Sequence, residues 1–172
     1  MDIRYTPDET RYAHLNTAEL RAGYLIDKLF QPGAVRTVYT DLDRAVVAGA
    51  VPTDKPLTLE TAKPLASEYF AERREIGVIN IGGAGSVAVD GKAYPLEKKD
   101  CLYIGRGSKK IEFTSADAKA PAQFYCVSYP AHTAYPTTLV TPKDVKPLEL
   151  GSQKDCNQRK LDEESKSKVK AR

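Results

Sequence analysis

The chain has 172 residues with 41% hydrophobic content, ten tyrosines and no tryptophan, which leaves room for one domain or one domain and a tail. Its net charge of +3 lies in residues 152–172, which hold seven Lys or Arg against four Asp or Glu, so the body is neutral and offers no electrostatic footprint for nucleic acid. The longest apolar run, Ala45 to Val51, falls far short of the roughly 20 residues that span a bilayer, and MDIRYTPDET lacks the apolar core and cleavage site of a secretory signal. These features exclude a membrane partner and predict a cytoplasmic location.

Residues 1–15 read as extended, with tyrosines and Pro7 but no period. Asn16 followed three residues later by Glu19 is a helix-start signal, and Leu20, Tyr24 and Leu25 give an apolar face, which predicts a short helix over 17–28. Gln31-Pro32-Gly33 stops it. Strands are predicted over 35–40 and 44–51, with weaker candidates at 57–59 and 67–70.

Glu72 to Gly107 then reads ERREIGVINIGGAGSVAVDGKAYPLEKKDCLYIGRG, four short apolar runs separated by tight turns. Gly82-Gly83-Ala84-Gly85 breaks the first run, and Asp90-Gly91 is the strongest short hairpin signal. The glycine run is no phosphate loop, because it joins two strands and lacks a Gly-Lys-Ser/Thr ending. With strands over 111–113 and 123–129, about nine or ten strands are predicted, the pattern of a small antiparallel barrel or sandwich. Pro130 to Pro136 is a proline-bracketed loop around His132. From Ser152 the chain turns polar and charged, with only Leu161 and Val169 as aliphatic anchors, which predicts a mobile tail or marginal helix. The division expected is therefore 1–151, a barrel domain, and 152–172, a charged tail.

Glu75, six residues and Gly82 match half of the first cupin motif, and Gly105 to Lys110 aligns with the second. The scaffold spacing thus resembles the cupin family and implies a mainly β, cupin-like antiparallel barrel with a short N-terminal helix. The positions for the metal histidines hold Tyr69 and Ala71 (or Glu68 and Phe70) and Lys110. Glu75 alone cannot hold Zn²⁺, which takes about four ligands.

A narrower resemblance rests on Tyr69 to Glu75 (YFAERRE), Gly77 to Gly85 (GVINIGGAG), Val89 to Gly91, Pro130 to Thr137, Val140 to Pro142 and Leu148 to Gly151. Over roughly residues 1–159 the chain resembles the 5-keto-4-deoxyuronate isomerase family. The resemblance implies a two-barrel, hexameric ketol-isomerase of pectin-derived uronate catabolism, with a small-molecule uronate as substrate and Zn²⁺ held by three His and one Glu of the second barrel. Such an enzyme moves a proton between adjacent carbons through an enediol, which needs a base and an electrophile. From residue 160 this sequence departs from the resemblance, and its only histidines are His14 and His132. The expectation is a truncated amino-terminal barrel, of the kind a frameshift leaves, inactive alone, with no cofactor in this chain and a tendency to homo-oligomerise. The alternative is a non-enzymatic module for assembly or sugar-acid binding.

No catalytic or metal residue is assigned. The weak candidates are Glu75 as base and Lys110 as electrophile, whose motif positions place both at one barrel mouth. Against that chemistry stands the ordinary expectation that Glu75 pairs with Arg73, Arg74 or Lys110, and that Lys110 is a solvated rim lysine. His132 is expected to order its loop by hydrogen bonding, and His14 to have no functional role. Cys101, Cys126 and Cys156 form no close pair, which argues against disulfides and a CxxC site; Cys101 and Cys126 fall in strands as small core residues.

Overall fold

The computed structural model describes residues 1–161. In chain order its strands are β1 (Asp2–Arg4), β2 (Val35–Thr40), β3 (Val46–Ala50), β4 (Leu57–Thr58), β5 (Arg74–Asn80), β6 (Gly85–Val89), β7 (Lys92–Leu96), β8 (Cys101–Ile104), β9 (Ile111–Ser115), β10 (Phe124–Pro130), β11 (Thr138–Val140), β12 (Leu148–Leu150) and β13 (Arg159–Leu161). Seven of them form one sheet in the order β1-β2-β3-β10-β5-β8-β11, and four form a second in the order β4-β9-β6-β7. All pairs are antiparallel except β1, which runs parallel to β2. The mainly β, cupin-like barrel or sandwich expected from the sequence is the fold observed.

Alternation builds the core. Ile76 and Val78 of β5, Leu102 and Ile104 of β8, and Phe124 and Cys126 of β10 point inward from the large sheet. Val87 of β6, Leu96 of β7, and Ile111 and Phe113 of β9 meet them from the small one. The Phe113 and Phe124 rings lie 5.2 Å apart between centroids and join the layers. Each such side chain, fully buried, contributes about 1.5–3 kcal/mol.

The turns follow their residues. Asp90 and Gly91 both have positive φ, 49° and 86°, as a two-residue turn matched to strand twist requires. Gly105 lets β8 end against the 130–136 loop, because a Cβ there would collide with the Tyr135 carbonyl.

The periphery differs from expectation in several places. Residues 1–15 are not wholly extended: β1 is followed by a helical turn, α1 (Glu9–Tyr12), capped by Asp8. The second helix, α2 (Thr17–Tyr24), has the Asn16–Glu19 capping box but ends short of residue 28, because Leu25 turns extended behind Gly23 and Tyr24. Neither helix buries a residue. Residues 67–70 form no strand; they run through bends into a turn, from which Phe70 is buried in the core. The boundary expected at 151/152 falls inside the β12–β13 hairpin, in which Leu148 faces Leu161. The rest of the predicted tail, 162–172, lies outside the described residues. Among the described residues no helix is long and apolar enough to cross a membrane.

Candidate functional site

β5 carries the sequence that drew attention, and its alternation sorts that sequence onto two faces. Arg74, Ile76, Val78 and Asn80 are buried on the inner face, and Glu75, Gly77 and Ile79 point outward. Asn80 closes one end. Its amide donates to the carbonyls of Gly83 and Leu96 at 2.7 and 2.9 Å and accepts from the backbone N–H groups of Gly82 and Gln123. It is satisfied on every side and holds the glycine turn to the strands beside it.

Arg74 closes the other end. It is only 7% exposed. Its Nε donates to Ser128 Oγ at 3.1 Å, and its Nη2 donates to the carbonyls of Ser128 and Arg44 at 2.8 and 2.6 Å. Ser128 in turn donates to the Glu75 carbonyl. All these acceptors are neutral, so among the described residues no carboxylate pairs with this buried cation. Burial lowers the Arg74 pKa from the ordinary guanidinium value; nearby Tyr39 favours its charge and nearby Arg44 opposes it.

Arg74 borders a cavity of about 190 Å³ at this end of the core. Arg44 and Arg73 share its lining, with Tyr39, Ser67, Leu65 and two prolines, and no acidic residue takes part. The rim is held in costly backbone: Asp43 and Arg44, between β2 and β3, and Ala66 all have φ near +50°. Arg73 donates from Nη2 to the Ala66 carbonyl and so ties that rim to β5.

The sequence-predicted pair is not brought together. Glu75 faces outward, where Tyr103 of β8 donates its hydroxyl to Oε2 at 2.7 Å. Burial first, and then this bond, push the Tyr103 phenol above its ordinary value. The expected pairing with Arg73, Arg74 or Lys110 does not form: Arg74 is on the opposite face and Arg73 is turned to Ala66. Lys110 precedes β9, and its Nζ sits 2.9 Å from Glu112 on the solvent face of the small sheet. The outer faces of the two sheets look in opposite directions, so Glu75 and Lys110 do not line one mouth.

Zinc does not suit these donors. One member of each alternative histidine pair, Ala71 beside Tyr69 or Phe70 beside Glu68, is packed in the core. Tyr103 occupies an oxygen of Glu75, and Lys110 is ion-paired. No group of three or more His, Cys, Asp or Glu side chains converges among the described residues.

His132 does not order its loop with its ring. Arg106 does: its Nη1 donates to the carbonyls of Ala131 and His132 at 3.0 and 2.9 Å, and its Nε reaches Glu72 O. His14 is exposed in the turn after α1. Cys126 is a core residue whose thiol is pushed up to about 12 by burial, whereas Cys101 is half-buried and Cys156 exposed. Arg74 was readable in the sequence, since period two aligns it with Ile76 and Val78. Tyr39 and Arg44 join it through non-local strand pairing, which no local pattern encodes.

A sequence model described as the KduI/IolB family matches residues 26–170 and so extends past residue 159, where the resemblance read from the sequence ends. The chain is 49% identical over 162 residues to a 4-deoxy-L-threo-5-hexosulose-uronate ketol-isomerase of Formosa agariphila, covering 94% of this chain and 58% of that protein. It is 45% identical to the Lachnoclostridium phytofermentans protein of the same name (92% and 58% covered) and 43% identical to an Escherichia coli one (94% and 59%). The chain therefore spans a little under three-fifths of the length of these curated relatives. An IolB-like protein from Salmonella typhimurium shares the fold, with a TM-score of 0.51 at 16% identity over 69% of this chain and 43% of that one.

Proposed function

The chain belongs to the KduI/IolB family, and we propose that it is the amino-terminal barrel of a uronate ketol-isomerase, contributing scaffold and surface rather than the reacting groups. The observation that carries this reading is identity of 43–49% to named ketol-isomerases across nearly all of this chain but only part of theirs. The substrate of the whole enzyme is then a small pectin-derived uronate, met in the cytoplasm. Proton transfer between adjacent carbons needs a base and an electrophile within about 3 Å of the reacting atoms. Glu75 and Lys110 cannot converge on one substrate. The base and the zinc of the reaction therefore come from the part of the relatives that this chain does not span.

The test is a coupled assay on 5-keto-4-deoxyuronate with and without added zinc, run beside Glu75→Gln. No turnover is expected from either protein. Turnover by the parent chain that disappears in the variant would overturn the reading.

A second reading, assembly, is favoured by one observation. The outer face of the large sheet exposes Ile79 and Ile81 at 39 and 42%, two residues apart on β5 and its continuation, with Tyr129 of β10 exposed farther along, opposite Glu75. Apolar surface so placed on a β-sheet is suited to cover by another protein surface, and homo-oligomerisation is the form proposed.

A further inference from the structure

We propose that the cavity behind Arg74 is a binding site for a small organic carboxylate. The inference stands apart from the isomerase reading, because it concerns a face of the barrel that neither Glu75 nor Lys110 reaches.

The argument starts from the cost of the side chain. A cation nine-tenths buried is stable only when paired or fully hydrogen-bonded. Arg74 is 7% exposed, and its three bonds use Nε and Nη2 only. Nη1 donates to no protein atom among the described residues. Nor is it sealed away, because Arg4 Nε is the one buried side-chain nitrogen or oxygen without a partner among them. The free nitrogen belongs to a guanidinium that lines the cavity.

The surroundings select the occupant's charge. Arg44 and Arg73 add two more positive groups to the lining, and no carboxylate offsets them. Anionic oxygen is therefore the complementary chemistry, and the planar guanidinium edge suits a carboxylate.

The rest of the lining selects an organic body over a bare inorganic ion. Leu65, Pro64 and Pro130 form an apolar wall, while Tyr39 and Ser67 offer hydroxyl groups, Ser67 already bonded to Thr61 at 2.8 Å. Among the described residues no long helix points its N-terminus at the cavity, unlike many phosphate sites. At about 190 Å³ the space is smaller than the roughly 300–1,000 Å³ of clefts for drug-sized ligands, so the occupant is small. Hydroxy acids and sugar acids meet all of these conditions.

The experiment is calorimetric titration of the full chain with lactate and with galacturonate, using galactose as the neutral control and inorganic phosphate as the rival anion. Binding of either carboxylate is expected, with galactose and phosphate weaker by about tenfold or more. Arg74→Gln is expected to weaken the carboxylate by about tenfold or more, and Arg44→Asn, which tolerates the left-handed backbone, by about threefold. Should Arg74→Gln fail to fold, Arg44→Asn and Tyr39→Phe carry the test from the rim. The proposal is overturned if neither carboxylate binds or if galactose or phosphate binds as tightly. Affinity unchanged in both rim variants overturns it as well.

Discussion

The two faces of β5 have the same backbone and opposite fates. Inward, Arg74, Ile76, Val78 and Asn80 are buried, and every side-chain polar atom there except Arg74 Nη1 is matched to a partner. Outward, Glu75 makes one bond to Tyr103, and Ile79 is 39% exposed. One residue step decides which chemistry enters the barrel. The carboxylate that the spacing to Gly82 singles out is on the outside, and the guanidinium beside it is on the inside. The difference teaches that the inner face carries stability and the proposed ligand site, and that the outer face leaves apolar side chains open to solvent.

The sharpest way to break that contrast is a pair of matched truncations. Ile76→Ala is expected to cost about 3–4 kcal/mol, the middle of the range for a buried aliphatic, and Ile79→Ala less than about 1 kcal/mol. Urea unfolding of both variants checks it, and equal costs would remove the distinction between the faces. Next in size is Asn80→Ala, which strands four backbone groups, one buried and three half-buried; a loss of about 2–4 kcal/mol is expected, with the Gly82–Gly85 turn loosened in amide exchange.

Ile79→Asp tests the outer face from the other direction. Sedimentation equilibrium should show weaker self-association than for the parent chain, while folding stability changes by about 1 kcal/mol or less. A parent chain that stays monomeric at high concentration would count against the assembly reading.

Much of this was legible in advance. The strands other than 67–70, the Asp90-Gly91 hairpin and the Asn16 capping box follow from local rules that operate within a few residues, and these formed. The short edge strands β1 and β11 were not legible, because they exist through pairing with β2 and β8 rather than through their own pattern. The site divides the same way. Spacing pointed at Glu75 and Lys110, but spacing does not say which side of a pleat a residue takes. The cavity joins β2, the turn after it, residues 64–67, the start of β5 and the end of β10, five places whose proximity is tertiary.

Alkaline titration gives a smaller effect. The Cys126 thiol is pushed up from 9.0 to about 12, and the Tyr103 phenol is raised as well. Both folded-state values lie above the unfolded ones, so the neutral forms contribute stability that is fully present below about pH 9 and is lost as pH rises toward 12. Stability should therefore be flat from about pH 7 to 9 and fall above it, less steeply in Cys126→Ala. A fall that begins on acidifying through pH 9 would have the wrong sign. Smallest of all is Tyr103→Phe, which removes a half-exposed bond from the outer face and should cost about 1 kcal/mol or less.

The contrast between the faces is tested most directly by a crystal structure of the full chain grown or soaked with galacturonate. The account predicts the carboxylate within about 3 Å of Arg74 Nη1, inside the cavity bounded by Tyr39 and Arg44. A sugar acid seated instead against Glu75 and Tyr103, or beside Lys110 with the Arg74 cavity empty, would contradict it.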